Sequence, residues 1–134
     1  MTAIKRQSEH MYKTLGALLL VLSTSSAWAA TGEETFKAVC ATCHAQGTTG
    51  APKVGDAKAW GKLIKEGQVN LTADGYMGVR AMPARGGRAD LSVPDFANAV
   101  VYMANQSGGT WQAPDEAMLK KITARIDKRS NAKK

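Results

Sequence analysis

Cys40-Ala41-Thr42-Cys43-His44 limits this chain to very few folds. Two cysteines three apart, with a histidine directly after the second, form the attachment pattern of c-type haem. On a helix the two thiols project one turn apart. Each can form a thioether to one haem vinyl group, and His44 is then carried under the iron as the proximal ligand. The covalent cofactor is haem c, one per chain. Other readings of the pair fail on inventory. A structural zinc site needs four ligands; Cys40, Cys43 and His44 supply three at most, and the other histidine, His10, lies in the segment expected to be removed. A thioredoxin-like dithiol needs alternating strands and helices around the motif, and no parallel-sheet pattern is present.

The first residues read as an export signal. Lys5, Arg6 and Lys13 form a basic start, Leu15 to Leu22 a short apolar core, and Ala27-Trp28-Ala29 an A-x-A cleavage pattern. Residues 1–29 are expected to be a cleaved secretory signal peptide, and the apolar run is shorter than the roughly 20 residues of a membrane span. Met11 is a second candidate start. Thioether haem is assembled outside the cytoplasm, so the expected location is the periplasm. About 105 residues then remain, one domain by size: residues 30–112 as the haem domain and 113–134 as a basic extension. A chain this short builds a modest core, and the macrocycle supplies much of the missing apolar area.

Charge placement matters more than its total. The whole chain carries +7. From Thr31 onward there are fifteen Lys and Arg against ten Asp and Glu, and from Asp115 onward seven against three. The body is therefore near neutral, and the basic character lies in the C-terminal tail.

The spacing predicts an all-α domain. One helix runs from about Gly32 to Thr42, with Thr31 as N-cap, Glu33 and Glu34 in its first turn, and Phe36, Val39 and Cys40 on one face. Gly47 to Gly55 is a glycine-rich loop. Asp56 caps a short helix through Trp60 to Glu66, stopped by Gly67. Val69 to Met77 is a weaker helix fading into Gly75 and Gly78, and Arg80 to Leu91 an ordered loop. Ser92, Pro94 and Asp95 start the clearest helix, whose stripe is Phe96, Ala99, Val100 and Met103. Pro114 and Asp115 begin a last helical pattern with Met118 or Leu119, Ile122 and Ile126 on one face. It reads either as a helix packing back on the domain or as a docking segment for an acidic partner or an anionic surface.

The iron needs a second axial ligand, and no second histidine follows the signal. Met77, Met82, Met103 and Met118 remain. Met103 belongs to a core stripe and Met118 to the tail. Met82, followed by Pro83 and Arg85-Gly86-Gly87, is the better candidate of the other two, because proline fixes the backbone there. His/Met ligation favours the ferrous state. A six-coordinate iron leaves no place for substrate, so the chain reads as an electron carrier and not as an enzyme.

With these residues in view, the chain resembles a class I c-type cytochrome of the cytochrome c5 type over about residues 31–107. The motifs are Cys40 to His44, Gly50-Ala51-Pro52-Lys53-Val54-Gly55-Asp56, Trp60, Gly67, Ala81-Met82-Pro83-Ala84-Arg85-Gly86-Gly87 and Ala99 to Met103. The resemblance implies a cytochrome c fold, with helices wrapped around one covalent haem. It implies that Pro52 accepts the His44 ring N–H, that Trp60 lines the haem pocket, that Met82 is the distal ligand, and that Gly32 and Phe36 cross the last core helix at Ala99 and Tyr102. Two departures stand out. The second cysteine pair common in that family after Gly-Gly is replaced by Arg88-Ala89-Asp90-Leu91, so packing must constrain the distal loop. Leu63 stands where an arginine often contacts a propionate, which leaves the Trp60 N–H, Lys62 or Lys65 as substitutes.

The resulting expectation is a periplasmic monohaem one-electron carrier serving a terminal oxidase or reductase. The runner-up is a non-catalytic haem subunit of a larger respiratory complex. A peroxidase or gas-binding protein would require an open iron site, which carbon monoxide binding would report.

Overall fold

The computed structural model describes residues 30–133, so the export-signal expectations lie outside the described residues. Helices form the whole framework, and the only β pairing among the described residues is one isolated bridge between Val79 and Met82. Helix α1 spans residues 32–44, two residues beyond the sequence expectation, and its turn over Phe36–Cys40 is a wider π turn. There the Ala41 N–H reaches back to the Phe36 carbonyl. Such turns cluster at functional sites, and this one ends at the first cysteine. Thr31 and Glu34 close a full capping box at the start of α1. The hydrogen bonds from Thr31 hold the Glu34 carboxyl below its usual range.

Helix α2 is Ala57–Lys65, with Asp56 accepting from the Lys58 and Ala59 N–H groups. Helix α3 is Gln68–Met77. The expected fading into Gly75 and Gly78 holds only at Gly78, which caps the helix after Met77, whereas Gly75 is buried inside it. The reason is tertiary: a Cβ on Gly75 would stand 3.0 Å from Phe96 Cζ, so the ring fills the space glycine leaves. Packing here overrides the weak helix propensity of glycine.

Helix α4 is Val93–Gln106, capped by Ser92, with Pro94 in its first turn. Its Phe96, Ala99, Val100 and Met103 are all buried. Helix α1 crosses α4 at very close range: Gly32 abuts the Asn98 backbone and Tyr102, and the Phe36 and Tyr102 rings lie 5.3 Å apart.

The tail forms helix α5, Glu116–Ala132, capped by Asp115. Ile122 is fully buried and Ile126 nearly so, and α5 packs chiefly along α3. Arg129 forms an ion pair with Asp74 of α3. The connection is held as well: the Asn105 side chain donates to the Trp111 carbonyl and accepts from its N–H, both at 2.8 Å. Of the two sequence readings of the tail, its apolar stripe follows the first and belongs to the core. Lys120, Lys121 and Lys128 remain exposed.

Candidate haem site

The attachment motif lies on the last two turns of α1. Cys40 is 5 % exposed, Cys43 is half-buried, and neither is in a disulfide. Burial pushes the Cys40 thiol up to about 11. A neutral buried sulfur suits a thioether far better than a thiolate nucleophile or redox dithiol.

His44 follows at the helix end, 7 % exposed. Two bonds from the next loop fix it. Its Nδ1–H donates to the Pro52 carbonyl at 2.9 Å, and its own carbonyl accepts the Val54 N–H at 2.8 Å. With Nδ1 spent on a carbonyl, Nε2 is the ring nitrogen left to bind a metal, the usual arrangement of an oriented histidine ligand. The buried Trp60 continues the pattern: its indole N–H donates to the Lys53 carbonyl at 3.0 Å, and its ring centroid lies 6.3 Å from that of His44. This corrects one expectation. The Trp60 N–H is already used within the loop and cannot replace the missing arginine at a propionate. Lys62 and Lys65, both exposed, are the two substitutes left. The loop is anchored at its far end, where Gly55 N–H donates to Ser107 Oγ at 2.9 Å.

Met82 sits on the turn after α3. The N–H groups of Val79 and Met82 donate to each other's carbonyls, at 3.1 and 2.9 Å. Gly78 makes the turn possible. Its φ is +84°, and a Cβ there would meet the Ala84 nitrogen at 2.9 Å. The Met82 side chain is half-buried, with its Cε 3.7 Å from where a Gly75 Cβ would stand. Met77, by contrast, lines a groove with Tyr76, Arg85 and Ile126 of α5.

The segment after Met82 reaches the attachment helix, since a Cβ on Gly86 would stand 3.1 Å from Val39 Cγ1, one residue before Cys40. Arg85 lies over the Tyr76 ring at 5.0 Å and bonds the Ala89 carbonyl. The Tyr76 hydroxyl donates to the Leu91 carbonyl at 3.1 Å. Tyr76 and Val39 escaped the sequence reading as supports of the loop. The Arg85-Gly86-Gly87 run marked the place, but nothing local marks their partners.

These residues fit a covalent haem. Two free sulfurs lie at adjacent turns of one helix, a buried imidazole has Nδ1 fixed and Nε2 free, and a thioether sits on a loop packed against the same helix. The comparisons with known proteins agree. Residues 27–103 match the family described as cytochrome c oxidase, cbb3-type, subunit III. The chain is 47% identical over 98 residues to cytochrome c-555 of Chlorobaculum tepidum, covering 69% of this chain and 91% of that protein. It is 36% identical over 78 residues to cytochrome c5 of Azotobacter vinelandii, covering 57% and 94%. A solved chain from an electron transfer complex of nitrite reductase with cytochrome c matches with a TM-score of 0.55 and 38% identity, over 57% of this chain and 93% of that one. Motif, helical fold and relatives converge: the chain belongs to the class I c-type cytochromes, small monohaem electron carriers that hold haem c covalently.

Proposed function

We propose that this chain is a periplasmic one-electron carrier, with haem bound through Cys40 and Cys43, His44 as proximal ligand and Met82 as distal ligand. The single observation that carries this reading is the buried His44 ring, fixed through Nδ1 by Pro52 directly after two free cysteines. Bound haem supplies a one-electron iron couple. The chain's own residues do the rest. Pro52 sets the histidine tautomer and raises its basicity as a ligand. A Met82 thioether held at the iron would raise its potential and would leave no position for substrate. Trp60 closes the proximal wall and holds the Lys53 carbonyl in place. The A-x-A pattern before Ala30 supports export, and among the described residues no helix is long and apolar enough to cross a membrane. The double variant Cys40→Ser/Cys43→Ser tests the attachment. It should release all haem into acidified acetone, whereas the parent retains it. Retention of haem by the double variant would place attachment elsewhere.

The redox partner is proposed to be an oxidase or reductase with an acidic face, met by the exposed Lys120, Lys121 and Lys128 of α5. Charges of this kind act mainly on association rate and are screened beyond about 8–10 Å at physiological salt. Changing the three lysines to glutamine should slow electron transfer several-fold at low ionic strength and leave the high-salt rate unchanged. An unaltered salt dependence would remove α5 from the docking face. The match to an oxidase subunit family favours one second reading, a haem-bearing subunit resident in a larger complex. Co-purification with a partner through a high-salt wash would select it.

A further inference from the structure

The turn that carries Met82 has little holding it locally. It contains two non-glycine residues in the left-handed region, Arg80 at φ 53° and Arg85 at φ 55°. Such residues persist only where the surroundings hold them. No cysteine follows Gly87, so nothing covalent ties the loop. Helix α3, from whose end the turn hangs, is also weak alone. It has ten residues, no side-chain N-cap bond, and two glycines around its last turn, Gly75 and Gly78. Isolated helices of that length are marginal in water. The stability of α3 must come from its neighbours; besides the 84–87 turn that follows it, these are chiefly helices α4 and α5.

On one side Phe96 of α4 packs against Gly75 and meets Tyr76 edge-on at 5.4 Å. On another side lies α5. Ile122 and Ile126 join the core cluster that contains Ala73 and Tyr76, and Arg129 pairs with Asp74 one residue before Gly75. The two charged side chains are 31 % and 25 % exposed, so the pair is screened less than a surface pair. Between α5 and residues 84–89 there is instead an open groove of about 490 Å³, bordered by Arg85, Ala89, Ile126 and Ser130. Across that groove α5 does not pin the loop directly, so its grip on Met82 runs through α3.

We propose that the C-terminal helix is a brace for the Met82 turn. Ile122, Ile126 and the Asp74–Arg129 pair are positioning residues: they hold α3, and through it the turn that presents the thioether. This inference rests on Met82 as the iron ligand.

The test is imidazole binding to the oxidised holoprotein, well below its melting temperature. Imidazole can bind only when Met82 has left the iron, so apparent affinity scales with the fraction of open loop. Arg129→Gln should raise that affinity about three- to tenfold and weaken the thioether-to-iron charge-transfer band. Arg129→Lys, which keeps the charge, should restore both to within about twofold of the parent. Ile122→Ala should raise the affinity further, and Thr123→Ala, on the exposed side of α5, should leave it unchanged. If Arg129→Gln and Ile122→Ala lower the melting temperature while affinity and band stay at parental values, α5 is structural support only and the brace is overturned. Should Met82→Ala itself bind imidazole no more tightly than the parent, the ligand assignment falls, and the brace with it.

Discussion

Met82→Ala, at the proposed distal ligand, should remove the thioether-to-iron charge-transfer band, open the iron to carbon monoxide and lower the midpoint potential by on the order of 100 mV or more. The loss is this large because the thioether is the ligand that favours ferrous iron, and because no neighbouring group on the turn can replace it. Its neighbours there, Val79, Ala81 and Pro83, carry no ligating side chain. The backbone should survive the change. The Val79–Met82 bridge is made by main-chain groups, and Gly78 keeps its left-handed conformation whatever the side chain at residue 82. Met77→Ala is the informative companion. Met77 borders the groove toward Ile126, so its loss should cost some stability and leave the band and the potential in place. The reverse outcome, with Met77→Ala abolishing the band and Met82→Ala sparing it, would reassign the ligand.

What the sequence made legible was chemistry that is local along the chain. The cysteine pair and His44 are contiguous. The N-caps at Thr31, Asp56 and Ser92 each act within three residues and all three form side-chain cap bonds, as does Asp115, which the sequence marked only as the start of the last helix. The α4 stripe is a single helix face, and it is buried as its spacing predicts. The rest depended on partners far away in the chain. Gly75 looks like a helix breaker until Phe96 fills its surface. Arg129 looks like one more tail cation until it meets Asp74, 55 residues earlier. Arg85 and Gly86 read as part of an ordered loop, but what orders them is hidden until Tyr76 and Val39 are placed against them. Trp60 is the instructive case, because its burial was legible but its donor was not. The indole N–H was free for a propionate on sequence grounds, and the fold commits it to a carbonyl seven residues away. The tail divides in the same way. Its apolar stripe at Ile122 and Ile126 was visible, but only the surface of α3 decides between packing inward and facing a partner.

Gly32→Ala should destabilise the protein by about 2 kcal/mol and lower its melting temperature by on the order of 10 °C. Helix propensity argues the other way, since alanine is favoured over glycine by up to about 1 kcal/mol inside a helix. Gly32 is the first residue of α1, where that gain is smaller. The opposing term is steric. A Cβ at this position would stand 2.3 Å from the Asn98 carbonyl oxygen and 3.0 Å from Tyr102 Cβ. The nearest obstacle is main chain within α4, so no side chain can rotate away and the two helices must separate. Separation also loosens Phe36 from Tyr102, whose rings are in contact at the same crossing. Overpacking of this kind commonly costs 1–3 kcal/mol, and here it exceeds the propensity gain. Gly61→Ala supplies the control. Gly61 lies inside α2, three residues from Lys58 and four from Lys65, both exposed, and a Cβ there meets nothing within 4 Å. With no steric term, propensity alone acts, and the variant should gain about 0.5–1 kcal/mol. Thermal unfolding of the two holoproteins reads both signs in one experiment. Equal shifts in the same direction would show that the α1–α4 crossing is not held at the close range that puts glycine at residue 32.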